Sequence, residues 1–284
     1  MQAYRGLDIG TAKPDAALRG RVPHYLIDIR DICEQYTVGD FVRLADEACD
    51  DIRDRGRLPI VSGGSGFYLR NLIYGLPSAP AADPTTREIV MRDLAARGAP
   101  FLRAELAAVD PASARRIHGN DLYRLTRAVE IVRLTGRPMA DFNPSPKPRD
   151  DRRFFVFGIA PPSGELAERI DARVDAMMAA GLADEVERLR AKGHSAAEPG
   201  MRAIGYREFF VAEDSASGMA EAPALSSGAR LAAIAEKIKL DTRRYAKRQM
   251  TFFRRLPDIE WIEADPGEFA SRVSAIVHGA GSGL

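Results

Sequence analysis

Leu58-Pro59-Ile60-Val61-Ser62-Gly63-Gly64-Ser65-Gly66-Phe67-Tyr68 is the stretch on which the fold turns. Its short apolar run reads as a buried strand, the glycines stop it, and Phe67 opens a helix expected to reach about Ile73. A strand, a glycine turn and a helix in that order aim backbone N–H groups and a helix N-terminus at one point, where an anion can sit. On spacing alone a plain tight turn fits equally well. The turn is not a Walker A loop, because GxxxxGK[ST] occurs nowhere in the chain.

Working outward, Tyr25-Leu26-Ile27-Asp28-Ile29 reads as another short strand. Asp40 is placed to cap a helix carrying Phe41, Leu44, Ala48 and Ile52 on one face, with Gly56 just past its end. Strands alternating with helices predict an α/β fold, a parallel sheet flanked by helices. From Asp83 to about Thr135 the strand signals vanish. Pro84 suits a first helical turn and Arg87 to Ala96 continues it; Asp110-Pro111 is a cap followed by proline. Leu122, Leu125, Val129 and Val132 recur at helical spacing, and Gly136 ends the run. Asn143-Pro144-Ser145-Pro146-Lys147-Pro148 reads as a linker. Residues 83–148 are therefore expected to be an all-helical insertion in an α/β domain made of 1–82 and 149–284. In the second part, Phe154 to Ile159 reads as strand and Ser163 as a helix cap. Helices follow through Ile170, Val174 and Met177 and through Leu182, Val186 and Leu189. Residues 214–229 read as a loop, then a long basic helix, then a strand at Ile259–Ile262.

With 284 residues, 45% hydrophobic and 29% charged, the chain can bury a sizeable core. No apolar stretch approaches the roughly 18 residues of a membrane helix, and the first residues lack the apolar run of a signal peptide. Cys33 and Cys49 have no metal-ligand spacing, and no HExxH links His24, His118, His194 and His278. A reducing cytoplasm is the expected compartment, with no protein-held metal. The net charge of +1 hides a stripe: residues 237–255 hold Lys237, Lys239, Arg243, Arg244, Lys247, Arg248, Arg254 and Arg255 against Asp241 alone. Such a stripe attracts polyanions. Arg124 and Arg127, three apart on one helix, suit phosphate or base contacts, or a solvated face paired with Glu130. Arg202-Ala203-Ile204-Gly205-Tyr206-Arg207 brackets a glycine and a tyrosine face with two arginines. Tyr245, Phe252 and Phe253 fall at helical spacing and read as core.

Five segments carry a resemblance. Met1-Gln2-Ala3-Tyr4-Arg5-Gly6-Leu7-Asp8-Ile9-Gly10-Thr11-Ala12-Lys13-Pro14 is similar, almost letter for letter, to an opening motif of the tRNA dimethylallyltransferase family. Gly63-Gly64-Ser65-Gly66-Phe67-Tyr68 resembles its V-G-G-T-x-x-Y, Asn120 to Glu130 its N-D-P-Q-R-L-x-R-A-L-E, and Arg202 to Arg207 its R-x-x-G-Y-R. Thr242 to Arg255 resembles T-R-x-x-A-K-R-Q-x-T-W-x-R. The likeness runs over essentially the whole chain.

The resemblance implies a P-loop-NTPase-like sheet. It implies transfer of a dimethylallyl group from its diphosphate to N6 of the adenosine 3′ to the anticodon in tRNA. It makes Ser65, at the position of the motif's threonine, catalytic and close to the reacting adenosine. It assigns Gly63, Gly64 and Arg207 to the diphosphate. Contacts to tRNA fall on Met1, Gln2, Ser65, Arg87, Tyr123, Arg124, Leu125, Thr126 and Arg127, then on Arg202, Ala203, Ile204, Gly205, Tyr206 and Arg207, and on Arg244, Lys247 and Arg248. Tyr123 stands where the motif has glutamine, exchanging a base-edge hydrogen bond for stacking. Mg²⁺ is the implied cofactor; the tRNA anticodon stem-loop and dimethylallyl diphosphate are the implied partners of a monomer. The family's phosphate-binding loop, first strand and D-S-M-Q aspartate, its general base, are not among these residues; Met1 and Gln2 match the end of D-S-M-Q. The expectation is a chain that, as given, is poorly soluble and transfers no dimethylallyl group. Two other readings stay open, a tRNA-binding remnant without catalysis and a small-molecule phosphotransferase.

Overall fold

The computed structural model describes residues 1–143, 145, 147–210, 227–257, 259–262, 270–272 and 274–275. The elements run α1 (Ala16–Arg21), α2 (Val38–Asp54), α3 (Gly66–Tyr74), α4 (Pro84–Val109), α5 (Pro111–Arg116) and α6 (Leu122–Thr135). Then come β1 (Phe157–Ile159), α7 (Ser163–Ala179), α8 (Leu182–Ala191), α9 (Ser227–Phe253) and β2 (Glu260–Ile262). β1 and β2 pair in parallel, Phe157 opposite Glu260 and Ile159 opposite Ile262. The protein is α/β, with a small parallel sheet among helices. Most of the loop expected at 214–229, and positions 144 and 146 of the linker, lie outside the described residues.

The chain forms two compact units, one of Met1–Leu69 with Phe155–Leu284 and one of Arg70–Phe154. In the first, α8 presents Leu182, Val186 and Leu189 to Tyr4, Leu7, Met201 and Tyr206. Leu7, Leu182 and Val186 are fully buried, each burial stabilising by about 1.5–3 kcal/mol. Thr37, not Asp40, caps α2: Asp40 is its third residue and closes a capping box with Thr37. Sequence spacing gave the helix correctly but misplaced the cap by one reciprocal partner.

Two expected strands are absent. Leu58–Val61 forms no ladder, and Leu58, Ile60 and Val61 are all exposed. An apolar run specifies a strand only if a neighbour supplies hydrogen bonds and cover, and among the described residues none lies beside it. Tyr25–Ile29 bends instead, with Leu26 (φ 61°) and Asp28 (φ 56°) in the left-handed region. Its amides are still used: Asp28 N–H donates to the Gln2 carbonyl and Ile29 and Arg30 N–H to that of Ala3.

In the second unit α4 and α6 pack through Val90, Leu102, Leu106, Leu125 and Val129. α4 runs well past the expected end near Ala96, but breaks at Gly98 (φ 77°, ψ 171°), a conformation open to glycine, before Pro100 restarts it. Asp110 caps α5 as read from the sequence and also accepts the Met139 N–H at 3.0 Å. Burial opposes its charge, but the hydrogen bonds from Ser113 and Met139 outweigh it and hold the carboxyl below the usual range. Gly136 ends α6 in the left-handed conformation (φ 68°).

Candidate functional site

The glycine turn docks on the C-terminal turns of α9. Gln249 Nε2 donates to the Gly64 carbonyl at 2.6 Å. A Cβ on Gly64 would strike that amide, and one on Gly66 would strike the Phe252 ring. Gly66 is set by close approach of the Phe252 ring, whereas at Gly64 a side chain would displace the flexible Gln249 amide and its hydrogen bond. Ser65 is exposed just before α3, and its side chain makes no hydrogen bond among the described residues. Phe67 and Tyr68 follow in the helix's first turn, whose N–H groups have no intrahelical acceptor. Along this end of α9 lies an open cavity of about 460 Å³ lined by Arg244, Lys247, Arg248, Thr251, Phe252 and Arg255, of which Phe252 also meets Gly66 of the turn.

The basic stripe divides into two halves. Toward its start the cations are spent inside the fold: Lys239 pairs with Asp175 and Glu236, and Arg243 with Asp171. Lys237, Arg207 and Arg244 converge on Asp241. The hydrogen bond from Lys237, working against burial, keeps the Asp241 carboxyl below its ordinary range. Lys247, Arg248, Arg254 and Arg255 are exposed and make no ion pair among the described residues. The anion-seeking half is thus the half that meets the glycine turn. Tyr245, expected in the core, is 39% exposed, with the Arg248 guanidinium 5.8 Å from its ring centroid. Phe252 and Phe253 are half-buried.

The opening loop is closed on itself. Gln2 Nε2 donates to the Thr11 and Ala12 carbonyls, both at 3.0 Å. The Lys13 ammonium is buried and donates to the Tyr4 carbonyl, Asp8 and Asp28. Gln2 is therefore committed to the loop, while Met1 is exposed.

Arg202–Arg207 departs from its expected role at Tyr206. The ring is fully buried and cannot stack on a base: it lies under Gly10, and its hydroxyl donates to Glu185 at 2.6 Å. Burial, then the Glu185 hydrogen bond, raises its pKa. Ala203 and Gly205 are buried as well, and Ile204 is partly so. The two arginines are the outward members. Arg202 donates to the Ala197 carbonyl. Arg207 is held by Glu208 through Nε and by Asp241 through Nη2, leaving Nη1 with no partner among the described residues.

In the helical unit Tyr123 is 71% exposed, and the Arg87 guanidinium lies 5.9 Å from its ring centroid. Arg124 is exposed and tied to Asp121 at 2.6 Å. Glu130, almost fully buried, accepts from Arg127 at 2.8 Å, Arg87 at 3.4 Å and the Asp83 N–H at 3.0 Å. Leu125 and Thr126 are buried, so their side chains serve the α6 core and offer nothing to RNA. Sequence reasoning paired Glu130 with the α6 arginines, as the Arg127 ion pair bears out, but missed the buried carboxylates Glu185 and Glu208 and the convergence of cations on Asp241. Glu185 had a visible signal: with Leu182, Val186 and Leu189 it falls on the apolar stripe of α8, where a charge needs a partner.

An anion-seeking turn set against free cations, in a chain that also displays an exposed aromatic among arginines, is the equipment of a transferase that works on a nucleic acid. The IPP transferase family model matches residues 2–256. A tRNA dimethylallyltransferase of Geobacter sulfurreducens is 40% identical over 272 residues, covering 95% of this chain and 83% of that protein. The tRNA isopentenylpyrophosphate transferase structure from Bacillus halodurans aligns with a TM-score of 0.64 at 32% identity, over 98% of this chain and 84% of that one. A eukaryotic dimethylallyltransferase captured acting on tRNA shares the fold, with a TM-score of 0.74 at 23% identity, over 99% of this chain and 71% of that one. The chain belongs to the IPP transferase family.

Among the described residues no group of three or more His, Cys, Asp or Glu side chains could hold a metal ion. Mg²⁺ takes one or two carboxylates together with water and substrate phosphate oxygens, so the expected ion stays compatible with a diphosphate substrate. No described helix is long and apolar enough to cross a membrane.

Proposed function

We propose that the protein transfers a dimethylallyl group from dimethylallyl diphosphate to N6 of the adenosine 3′ to the anticodon of a tRNA, in the cytoplasm. The observation that carries the reading is the docking of the Ser65 turn on the stretch of α9 whose cations are free. In the reaction the C1–O bond to diphosphate breaks, the N6–C1 bond forms, the electron pair leaves on diphosphate and the N6 proton passes to water. The chain's contribution is charge neutralisation and placement. The Ser65 turn supplies backbone donors to the diphosphate through Gly63 and Gly64, and Lys247, Arg248 and Arg255 on the adjoining stretch of α9 supply the cations. The Ser65 hydroxyl is free to bridge that anion and the incoming base. Arg207 offers Nη1. Mg²⁺ would enter with the diphosphate and add to the neutralisation of its charge.

RNA is gripped by the helical unit, residues 83–148, through Arg87, Arg124, Arg127 and the Tyr123 face, and by Arg202, Arg244, Lys247 and Arg248 along its backbone. The acceptor is an anticodon stem-loop, and one monomer suffices for one RNA. The test is label transfer from isotopically marked dimethylallyl diphosphate to a stem-loop with adenosine at the target position, against the same stem-loop carrying guanosine there. Label in the adenosine RNA only, reduced on the order of 100-fold by Ser65→Ala, is the expected result. Tight RNA binding without transfer selects the non-catalytic reading instead, and absence of both overturns the assignment.

A further inference from the structure

Glu185 sits in the first turn of α8 and is 4% exposed, yet it makes no ion pair among the described residues. Its partners are neutral donors from two segments far apart in sequence. Oε2 accepts the Ile9 N–H at 2.9 Å and the Asp8 N–H at 3.3 Å. Oε1 accepts the Tyr206 hydroxyl at 2.6 Å and, weakly, the Gly10 N–H at 3.5 Å. The Gly10 N–H also donates to the Tyr206 oxygen at 3.1 Å. The fit has no slack: a Cβ on Gly10 would stand 2.6 Å from the Tyr206 ring, and one on Gly205 (φ 100°) would stand 3.3 Å from the Gly10 carbonyl oxygen. Two glycines and a buried ring thus lock the opening loop to the turn that precedes Arg207, and the carboxylate is the knot.

A buried carboxylate with only neutral donors costs more to desolvate than a well-packed apolar side chain of its size. At a position flanked by Leu182, Val186 and Leu189 an apolar residue would fit the stripe. What the carboxylate adds is direction: it fixes three consecutive amides and one hydroxyl in a single geometry. Arg207 begins where that geometry ends. Its Nε and Nη2 are taken by Glu208 and Asp241, and the Gly205 N–H is itself bonded to Glu208 at 2.8 Å. With Tyr206 fixed, Nη1 is the guanidinium nitrogen that has no partner among the described residues and can meet an anion.

We infer that Glu185 is a positioning residue for diphosphate binding: it touches no substrate, but by tying Asp8–Gly10 to Tyr206 it sets the direction in which Arg207 presents its free guanidinium nitrogen. This rests on the proposed function in giving Arg207 a diphosphate to hold. The test is calorimetric binding of inorganic pyrophosphate, which requires no turnover. Arg207→Gln is expected to weaken binding on the order of tenfold, and Glu185→Gln and Tyr206→Phe to weaken it comparably. Tyr206→Phe keeps the ring over Gly10, so it covers the case in which the Glu185 variant misfolds. The decisive result is non-additivity. Glu185→Gln placed on Arg207→Gln should cost nothing more, because both act through one contact. Amide exchange at residues 8–10 should also rise in Glu185→Gln and not in Arg207→Gln. Additive losses, unchanged affinity in both Glu185→Gln and Tyr206→Phe, or no pyrophosphate binding by the unaltered chain would each overturn the inference. Pyrophosphate coupling that survives alongside a failure of prenyl transfer sinks the reaction assignment alone.

Discussion

Asp241 shows what a single side chain decides here. It collects Lys237, Arg207 and Arg244 and is nearly buried, so it is both a stability element and the support of a site cation. Its folded-state pKa is depressed, chiefly by the Lys237 hydrogen bond. A depressed carboxylate stabilises the fold fully above its unfolded value, about 3.9, and loses that contribution as pH falls below it toward the folded value. Asp241→Asn should therefore lower Tm at neutral pH, while its Tm deficit shrinks as the pH is taken from 5 to below the parent's acid transition. A deficit that stays constant over that range, followed by differential scanning calorimetry, would contradict the pairing. Residue identities of this kind were half legible in the sequence. The arginines and the Ser65 turn stood out as letters. Their buried carboxylate supports did not, because Asp241 reads as one acid among many bases until the helix is wound and Arg207 arrives from another segment.

At the scale of elements, α9 is a helix with two jobs separated along its length. The sequence showed one uninterrupted basic stripe because the acids that neutralise its first half, Asp171 and Asp175, belong to α7, some seventy residues earlier. The division has a measurable consequence. Each phosphate contact contributes about one unit to the slope of log K against log salt. Lys247→Ala and Arg248→Ala should each reduce that slope by about 1 for an anticodon stem-loop. Lys239→Ala and Arg243→Ala should leave it unchanged and lower Tm instead. α4 is a second composite element. Its break at Gly98 is bridged by Arg133, which bonds Asp93 on one side and both Glu105 oxygens on the other, all at 2.7 Å. The Glu105 hydrogen bond raises the arginine's pKa, burial opposes it and Asp93 adds to the rise, so the clamp keeps its cation at any working pH. Gly98→Ala forces a side chain into a glycine conformation and should cost about 1–3 kcal/mol. Arg133→Met removes charge-assisted hydrogen bonds on both sides of the break and should cost roughly 2 kcal/mol. Denaturant unfolding measures both. A Gly98→Ala protein as stable as the parent would mean that the break is not required.

For the whole molecule, the surface left by Leu58–Val61 is the dominant physical problem. Helices were legible because caps, glycine stops and periodicity are local; the strand was not, because a strand exists only by agreement with a neighbour. Leu58 is 56% exposed, Ile60 70% and Val61 45%, in a run with no ladder partner among the described residues. Phe155, at 46%, and Ile159, at 52%, add further exposed apolar surface on the same compact unit. Isolated exposed apolar residues are ordinary, but an extended apolar run with free backbone donors and acceptors is a template for pairing with another chain. The chain as given should therefore self-associate as its concentration rises, its apparent mass in sedimentation velocity climbing through the micromolar range. Lysine on this run repels a second copy and deprives the contact of apolar area, so Ile60→Lys should shift the protein towards the monomer. It should do so without lowering Tm, since Ile60 packs against little. Lys247→Ala leaves the run intact and should not disperse the assemblies, whereas they should dissolve with added salt if the basic helix face were responsible. Assembly that survives Ile60→Lys but yields to salt would move the cause from the unpaired strand to the charges on α9.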